Sequence, residues 1–159
     1  AGLTVSLDPS WDDDWIRRPD LIERATGADL FMPNAAEARA IAGCDDLDEA
    51  GSHLARHFPI VVVKDGGNGA RLFERDNIMT LPAPEGGLVL DTTGAGDAFN
   101  AGFLAAWLAG HAPEPALAEG IACGTLSVRS VGGAGTRLNP TDVDTMSRNL
   151  LRCQERIDA

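Results

Sequence analysis

The hydrophobic positions of the chain form short continuous runs that alternate with stretches of helical spacing. Ile60–Val63 is a β-branched run between Pro59 and Gly66, which is typical of a strand buried on both faces of a parallel sheet. Runs of the same kind predict further strands over 3–7, 28–32, 70–73 and 78–81. Pro33 ends the run over 28–32, because proline has no N–H for the sheet ladder.

The intervening segments carry apolar residues at helical spacing. They predict helices over 15–26, 35–42, 48–57, 95–109 and 115–130, and a last helix from 140 onward. The helix over 95–109 is apolar on nearly every side, with Phe99, Phe103 and Trp107 at i, i+4 spacing, so we expect it to lie centrally. Strands that alternate with helices predict an α/β fold, a sheet covered by helices on both faces.

Composition narrows the class of protein. The length of 159 residues suits one domain, and 13 Lys and Arg against 24 Asp and Glu give a net charge of −11. Such acidity argues against a partner that is a nucleic acid or an anionic membrane surface. The longest apolar stretch, 98–110, is too short to span a bilayer, which needs about 20 residues.

Cysteine usage and the N-terminus suggest where the protein works. Cys44, Cys123 and Cys153 show no metal-ligand or disulfide spacing, so we expect reduced, buried thiols in a cytoplasmic protein. No signal-peptide pattern is present. Because the chain has no initiator Met and starts directly with a predicted strand, we expect it to be part of a longer polypeptide.

The segment from Asp91 to Asp97 carries the most informative chemistry. Its sequence is Asp-Thr-Thr-Gly-Ala-Gly-Asp, at the start of the predicted helix over 95–109. Gly94 and Gly96 leave backbone amides uncovered at the positive end of the helix dipole, which is a favourable place for an anion. A phosphoryl group held there, with the Asp97 carboxylate beside it to take a proton from a hydroxyl, is what phosphoryl transfer requires.

The residues of this segment also allow other interpretations. An acidic residue in a first helical turn commonly only complements the dipole, and two glycines make a weak motif. A dinucleotide-binding loop would need a third glycine where Phe99 stands, and a P-loop would need Gly-Lys-Ser or Gly-Lys-Thr, which is absent. The broken glycine spacing therefore disfavours a dinucleotide-binding domain.

Residues 91–103 closely resemble the C-terminal signature of the PfkB, or ribokinase-like, carbohydrate kinases. Three other segments resemble the family in the same order: 7–9, 28–38 and 61–70. The similarity extends from about residue 3 to residue 140. It implies a three-layer, ribokinase-like Rossmann-type sheet with helices on both faces, and it implies that 1–159 is the C-terminal part of a single kinase domain whose N-terminal half and lid are absent.

The resemblance also assigns roles to residues near the motif. Asp97 would be the catalytic base, and the amides of Gly94, Ala95 and Gly96 would form the anion hole. Asn34 and Glu37 would hold the Mg²⁺–phosphate assembly through water, which suits an ion that sheds its waters reluctantly. These two residues also have capping-box spacing at the start of the helix over 35–42, and both roles can coexist.

Further positions match the family's nucleotide and cation sites. Lys64, Gly66 and Gly69 fall where the family contacts ATP, although many members have Thr or Ser in place of Lys64. The alternatives are a strand-end lysine reaching solvent and two turn glycines. Asp91 and Thr93 match positions that many members use for a monovalent cation such as K⁺, the alternative being a strand-end cap. The loop Gly132–Gly135 would line the same site.

The implied activity is transfer of the γ-phosphoryl of ATP to a sugar hydroxyl, with ATP and Mg²⁺ as cofactors. A nucleoside kinase of the same superfamily is the nearest alternative. A different class of function is a non-catalytic nucleotide-binding or association fragment, because the family's sugar-binding residues lie mostly in the N-terminal half. We expect this chain alone to be inactive, and to form a homo-oligomer or pair with that half, because a sheet without its leading strands exposes an edge.

Overall fold

The computed structural model describes residues 2–132 and 137–157 of the chain, with side chains as far as Gln154. The strands are β1 (Ser6–Leu7), β2 (Leu30–Phe31), β3 (Ile60–Lys64), β4 (Ala70–Glu74) and β5 (Asn77–Leu81). The helices are α1 (Asp13–Ile16), α2 (Leu21–Ala25), α3 (Ala35–Ala42), α4 (Leu47–Leu54), α5 (Ala95–Leu108), α6 (Pro113–Ser127) and α7 (Pro140–Ile157). A short 3₁₀ turn, Gly66–Asn68, follows β3.

The five strands form one sheet in the order β1-β2-β3-β4-β5. β1, β2 and β3 run parallel, with Ser6 opposite Leu30 and Leu30 opposite Ile60. An isolated parallel bridge between Asn34 and Lys64 continues this pairing beyond β2. The predicted α/β class is confirmed, and each predicted strand is present, although β1 and β2 are shorter than their apolar runs.

The single helix predicted over 15–26 is wrong, because the chain forms α1 and α2 with Pro19 between them. Proline disfavours helical geometry in the residue before it and lacks the N–H that a continuing helix would use. The Asp12 side chain accepts a hydrogen bond from the Trp15 amide and so caps α1. Pro19 is visible in the sequence, and its effect on the backbone outweighs the helical spacing of the apolar residues around it.

The residues 1–65 and 71–80 form one compact unit, called unit 1 below. Its core joins residues from α1 to α4 with the buried strands β2 and β3. Phe31 and Phe58 stack at its centre with ring centroids 4.4 Å apart. Asp29 fixes the start of β1, since its Oδ2 accepts a hydrogen bond of 2.8 Å from the Val5 amide.

The second compact unit, unit 2, comprises 66–70 and 81–159, and in it α6 packs against both α5 and α7. Burial of α5 is one-sided: Phe99 and Phe103 are buried but Leu108 is 70% exposed, so the central position predicted for this helix is not what the structure shows. Glycines allow close packing of α5 on α6. A Cβ at Gly102 would lie 2.6 Å from the Sγ of Cys123.

The expectation of three buried thiols is wrong for two of them. Cys123 is buried between helices, but Cys44 is half-buried and Cys153 is exposed. Each is a free cysteine. Among the residues with described structure, no helix is long and apolar enough to cross a membrane.

Candidate functional site

Polar residues follow three neighbouring parallel strands of unit 1, at the same edge of the sheet. Asp8 follows β1, Asn34 follows β2, and Lys64 ends β3. The carboxyl edge of parallel strands is where open α/β sheets bind ligands. Together with Glu37, these residues are called the strand-end cluster.

Lys64 and Asp8 form an ion pair in the strand-end cluster. Their Nζ and Oδ2 atoms are 2.5 Å apart, and the Lys64 side chain is only 11% exposed. The two residues are 56 positions apart in the sequence. Asp8 was not among the site residues predicted from the sequence. The signal that could have found it is a charged residue directly after a strand that lies beside β2 and β3.

Asn34 and Glu37 form the capping box that their spacing predicts. The Asn34 Oδ1 accepts a 2.9 Å hydrogen bond from the Glu37 amide, and the Glu37 Oε2 accepts one of 2.7 Å from the Asn34 amide. The capping box uses Oε2 and leaves Glu37 Oε1 outside it, and a carboxylate oxygen of this kind is able to bind a hydrated cation. The capping role is therefore observed, and the role toward Mg²⁺ remains a prediction.

Burial dominates the electrostatics of Glu37, which is 3% exposed. Loss of solvation raises the pKa of this carboxyl, and the hydrogen bond from the Asn34 amide opposes the rise. The Asp8 charge raises the same pKa and the Lys64 charge lowers it. The charges of both partners of the ion pair therefore act on the pKa of the Glu37 carboxyl.

The N-terminus of α5 in unit 2 has a different construction. Gly94 is its N-cap residue with φ of 75°, a left-handed conformation that favours glycine, and no side chain caps the helix. The Ala95 amide donates to the Thr92 carbonyl at 3.1 Å. In residues 2–132 and 137–157, the amides of Gly96 and Asp97 have no hydrogen-bond partner. Two donors at the positive end of the helix are thus available to an anion.

Asp97 lies in the first turn of α5 and is exposed. Its carboxylate forms no ion pair or hydrogen bond with any residue that the structure describes. A carboxylate without a partner beside free amide donors is able to accept a proton from a bound hydroxyl. The proposed base and two donors therefore share one helical turn.

Asp91 joins two loops of unit 2. Its Oδ1 accepts a hydrogen bond from the Thr93 amide and its Oδ2 accepts one from the Gly132 amide, each of 2.9 Å. These bonds lower the pKa of the Asp91 carboxyl, the Thr93 bond most. The remainder of the Gly132–Gly135 loop lies outside the described residues. The strand-end cap is observed, and the K⁺ role of Asp91 and Thr93 stays a prediction.

Gly66 and Gly69, which are predicted to contact the nucleotide, differ in the space around them. Gly69 has φ of 98°, and a Cβ there would overlap the Leu81 carbonyl oxygen and lie 2.6 Å from the Ala83 nitrogen. Gly66 has φ of 54° and open space around it. Both therefore serve the turn. Among the described residues, no group of three or more His, Cys, Asp or Glu is placed to hold a metal ion.

Comparison with known proteins shows what the chain is similar to. It is 38% identical over 144 residues to the "ATP-dependent ribose-1-phosphate kinase" of Halopiger xanaduensis, a match covering 89% of this chain and 44% of the relative. It is 31% identical over 125 residues to the "Cytidine kinase" of Thermococcus kodakarensis, covering 75% and 44%. The chain thus spans less than half the length of these relatives.

Among solved structures, the Arabidopsis thaliana ribokinase complexed with ribose and ATP superposes with a TM-score of 0.79 at 26% identity. This match covers 92% of the chain and 48% of the ribokinase. The family model for "pfkB family carbohydrate kinase" matches residues 1–141. The ribokinase-like fold is therefore confirmed, and the chain belongs to the PfkB family of carbohydrate kinases.

Proposed function

We propose that the protein containing this chain transfers the γ-phosphoryl of ATP to a hydroxyl of a sugar. The observation that carries the proposal is the uncapped N-terminus of α5, where free amides and the Asp97 carboxylate lie in one turn. Family membership and the kinase relatives support it. Because the chain spans less than half of those relatives, the proposal concerns the whole protein.

The amides of Gly94, Gly96 and Asp97 donate hydrogen bonds to the phosphoryl group being transferred. These donors stabilise the charge that gathers on its oxygens, and they need no rearrangement because the helix fixes them. The Ala95 amide belongs to the same anion hole once it exchanges the Thr92 carbonyl for a phosphate oxygen. A carboxylate oxygen of Asp97 orients the acceptor hydroxyl and takes its proton as the new P–O bond forms, while the bond between the γ-phosphorus and the β-phosphate oxygen breaks and ADP leaves.

The strand-end cluster provides the cationic and metal-binding groups. Lys64 offers its ammonium to a phosphate oxygen, while Gly66 and Gly69 let the backbone approach the nucleotide. Glu37 Oε1 and Asn34 would hold Mg²⁺ through its water ligands, which fits their oxygen chemistry and the oxygen left uncommitted by the capping box. When bound, Mg²⁺ neutralises charge on the phosphates.

A monovalent cation at Asp91 and Thr93 is the further cofactor we propose. The Asp91 carboxylate accepts hydrogen bonds from the Thr93 amide, the Gly132 amide and the Thr93 side chain, which leaves one of its about four lone-pair sites for a cation. This cation would stabilise the loops that contain Thr93 and Gly132. Activity in potassium, compared with sodium at equal ionic strength, tests the assignment.

A nucleoside is the second candidate acceptor, and the similarity to a cytidine kinase favours it. Both acceptors present a ribose or sugar hydroxyl to Asp97, so the chemistry of this chain serves either. The intact polypeptide, assayed with ATP and Mg²⁺ against a panel of sugars, sugar phosphates and nucleosides, separates the two. ATP binding without turnover of any acceptor would support a non-catalytic nucleotide-binding fragment instead.

Association is expected of this chain on the geometry of unit 1. β1 is an edge strand of the sheet, and Leu3 and Val5 beside it are 84% and 50% exposed. We propose that this edge pairs with further strands, either from the longer polypeptide or from a second copy. Mass measurement of the purified polypeptide, followed by light scattering, distinguishes the two.

A further inference from the structure

The ion pair between Lys64 and Asp8 has a consequence for nucleotide binding. Asp8 is 34% exposed at the side chain and Lys64 is 11% exposed, so the ammonium is the more buried partner. A largely buried ammonium requires a counter-charge, since its unpaired desolvation is costly. Asp8 supplies that charge at 2.5 Å.

The pair lies on the carboxyl edge of the parallel strands, the edge at which open α/β sheets bind ligands. Lys64 ends β3, and the glycine turn Gly66–Asn68 follows directly. Asp8 reaches it from the end of β1, across the strand-end cluster whose middle strand is β2. A salt bridge that spans three strand ends is not needed for strand pairing, which the backbone ladders already provide.

We propose that Asp8 is a positioning residue that holds the Lys64 ammonium and competes for it with the phosphates of the nucleotide. The pair carries no net charge, so a polyphosphate gains the full attraction of Lys64 only by weakening its bond to Asp8. The proposal rests on the proposed function, because it assumes that ATP binds at this edge. Its effect is to limit nucleotide affinity and thereby to favour release.

Neutralising Asp8 should tighten nucleotide binding through Lys64. In Asp8→Asn the ammonium keeps a polar neighbour but loses the carboxylate to which it is bonded, and we expect about fivefold tighter binding of a non-hydrolysable ATP analogue. The same variant should lower KM for ATP while KM for the acceptor stays unchanged. A residue that only stabilises the fold would not separate the two constants.

The test is a double-mutant cycle on the intact polypeptide, read by titration calorimetry of the ATP analogue with Mg²⁺ at fixed ionic strength. The four proteins are the unmodified one, Asp8→Asn, Lys64→Met and the double variant. We expect the gain from Asp8→Asn to vanish in the Lys64→Met background. The matched control is Asp48→Asn, which breaks the 2.8 Å pair of Asp48 with Arg71 in the same unit and should leave affinity unchanged.

Several outcomes would overturn the inference. Unchanged or weaker binding in Asp8→Asn excludes competition, and an equal gain in the Lys64→Met background means that Asp8 repels phosphate directly. Should Asp8→Asn fail to fold, Asp8→Ser removes the same charge with a smaller side chain and is held to the same criteria. If the unmodified protein does not bind the analogue, the proposed function fails as well. If it binds but ignores Asp8, only this inference fails.

Discussion

The two candidate regions of the molecule begin their helices in opposite ways. At α3 the polar groups bond to one another: Asn34 and Glu37 close a capping box, and Lys64 pairs with Asp8 at the same edge of the sheet. At α5 the N-cap is Gly94, no side chain caps the helix, and Asp97 has no partner among the described residues. The first region is stabilised by its own contacts, whereas the second keeps its donors for a ligand.

This difference follows from the residue at each N-cap. An Asn side chain reaches the amide three residues on and contributes about 1 kcal/mol to a helix, whereas glycine has nothing to offer those amides. Glycine in turn accepts the left-handed φ of 75° that opens the turn. A helix start that gives up side-chain capping is the one suited to bind a phosphate.

The largest effect is expected at the open helix start, from Asp97→Asn. Removing the proposed base should reduce turnover by about 10²- to 10⁴-fold while ATP binding remains, because the amides are untouched. Steady-state rates and calorimetry on the intact polypeptide measure the two quantities. Asp142→Asn is the matched control, since Asp142 is also an acidic residue in the first turn of a helix of unit 2. Equal loss of rate in both variants would contradict the assignment.

Gly94→Ala tests whether the left-handed N-cap is needed. A Cβ at φ of 75° costs about 1–2 kcal/mol, so we expect lower stability in urea denaturation. Because the backbone can relieve this strain only by turning the amides, ATP binding should weaken as well. Gly110→Ala is the comparison, since Gly110 follows the other end of α5, has a positive φ of 86° with open space around it, and has no role in the proposed site. Normal ATP affinity in Gly94→Ala would show that the helix start tolerates other backbone conformations.

The features that could be predicted from the sequence are those formed by residues close together in the chain. The capping box of Asn34 and Glu37 and the helix start at Ala95 each depend on residues three or four apart, and both were found. The ion pair of Asp8 and Lys64 joins residues 56 apart, and the Asp91–Gly132 bond joins residues 41 apart. Such pairs depend on which strands and loops become neighbours, which a linear pattern does not specify.

Asn34→Ala removes the side-chain cap at the start of α3. It removes the acceptor for the Glu37 amide, and we expect a loss of about 1 kcal/mol in the free energy of unfolding, with only a few tenths lost in Asn34→Gly. Urea denaturation of the two variants checks the order. If both variants lose the same free energy of unfolding, the Asn34 side chain contributes little as a cap. That result would favour its proposed metal-binding role.

The smallest expected effects are opposite slopes of stability with pH in the two regions. Burial raises the pKa of Glu37 in the folded state, so the unfolded state binds fewer protons just above the ordinary value of 4.5. Stability therefore falls as pH rises through that window, and Glu37→Gln should remove this part of the slope. Hydrogen bonds lower the pKa of Asp91 below its ordinary 3.8, so its contribution is present above that value and is lost as pH falls below it.

Asp91→Asn should therefore flatten the acid side of the curve of unfolding free energy against pH. Glu37→Gln should flatten the part of the same curve above pH 4.5. Denaturant titrations of both variants and the unmodified protein between about pH 2 and 7 measure the slopes, without Mg²⁺ so that folding alone is observed. Slopes of the same sign at the two residues would contradict the difference between the two regions. In that case the burial of Glu37 would be offset by its capping bond and the Lys64 charge, and the strand-end cluster would hold its carboxylate ionised as the Asp91 loop does.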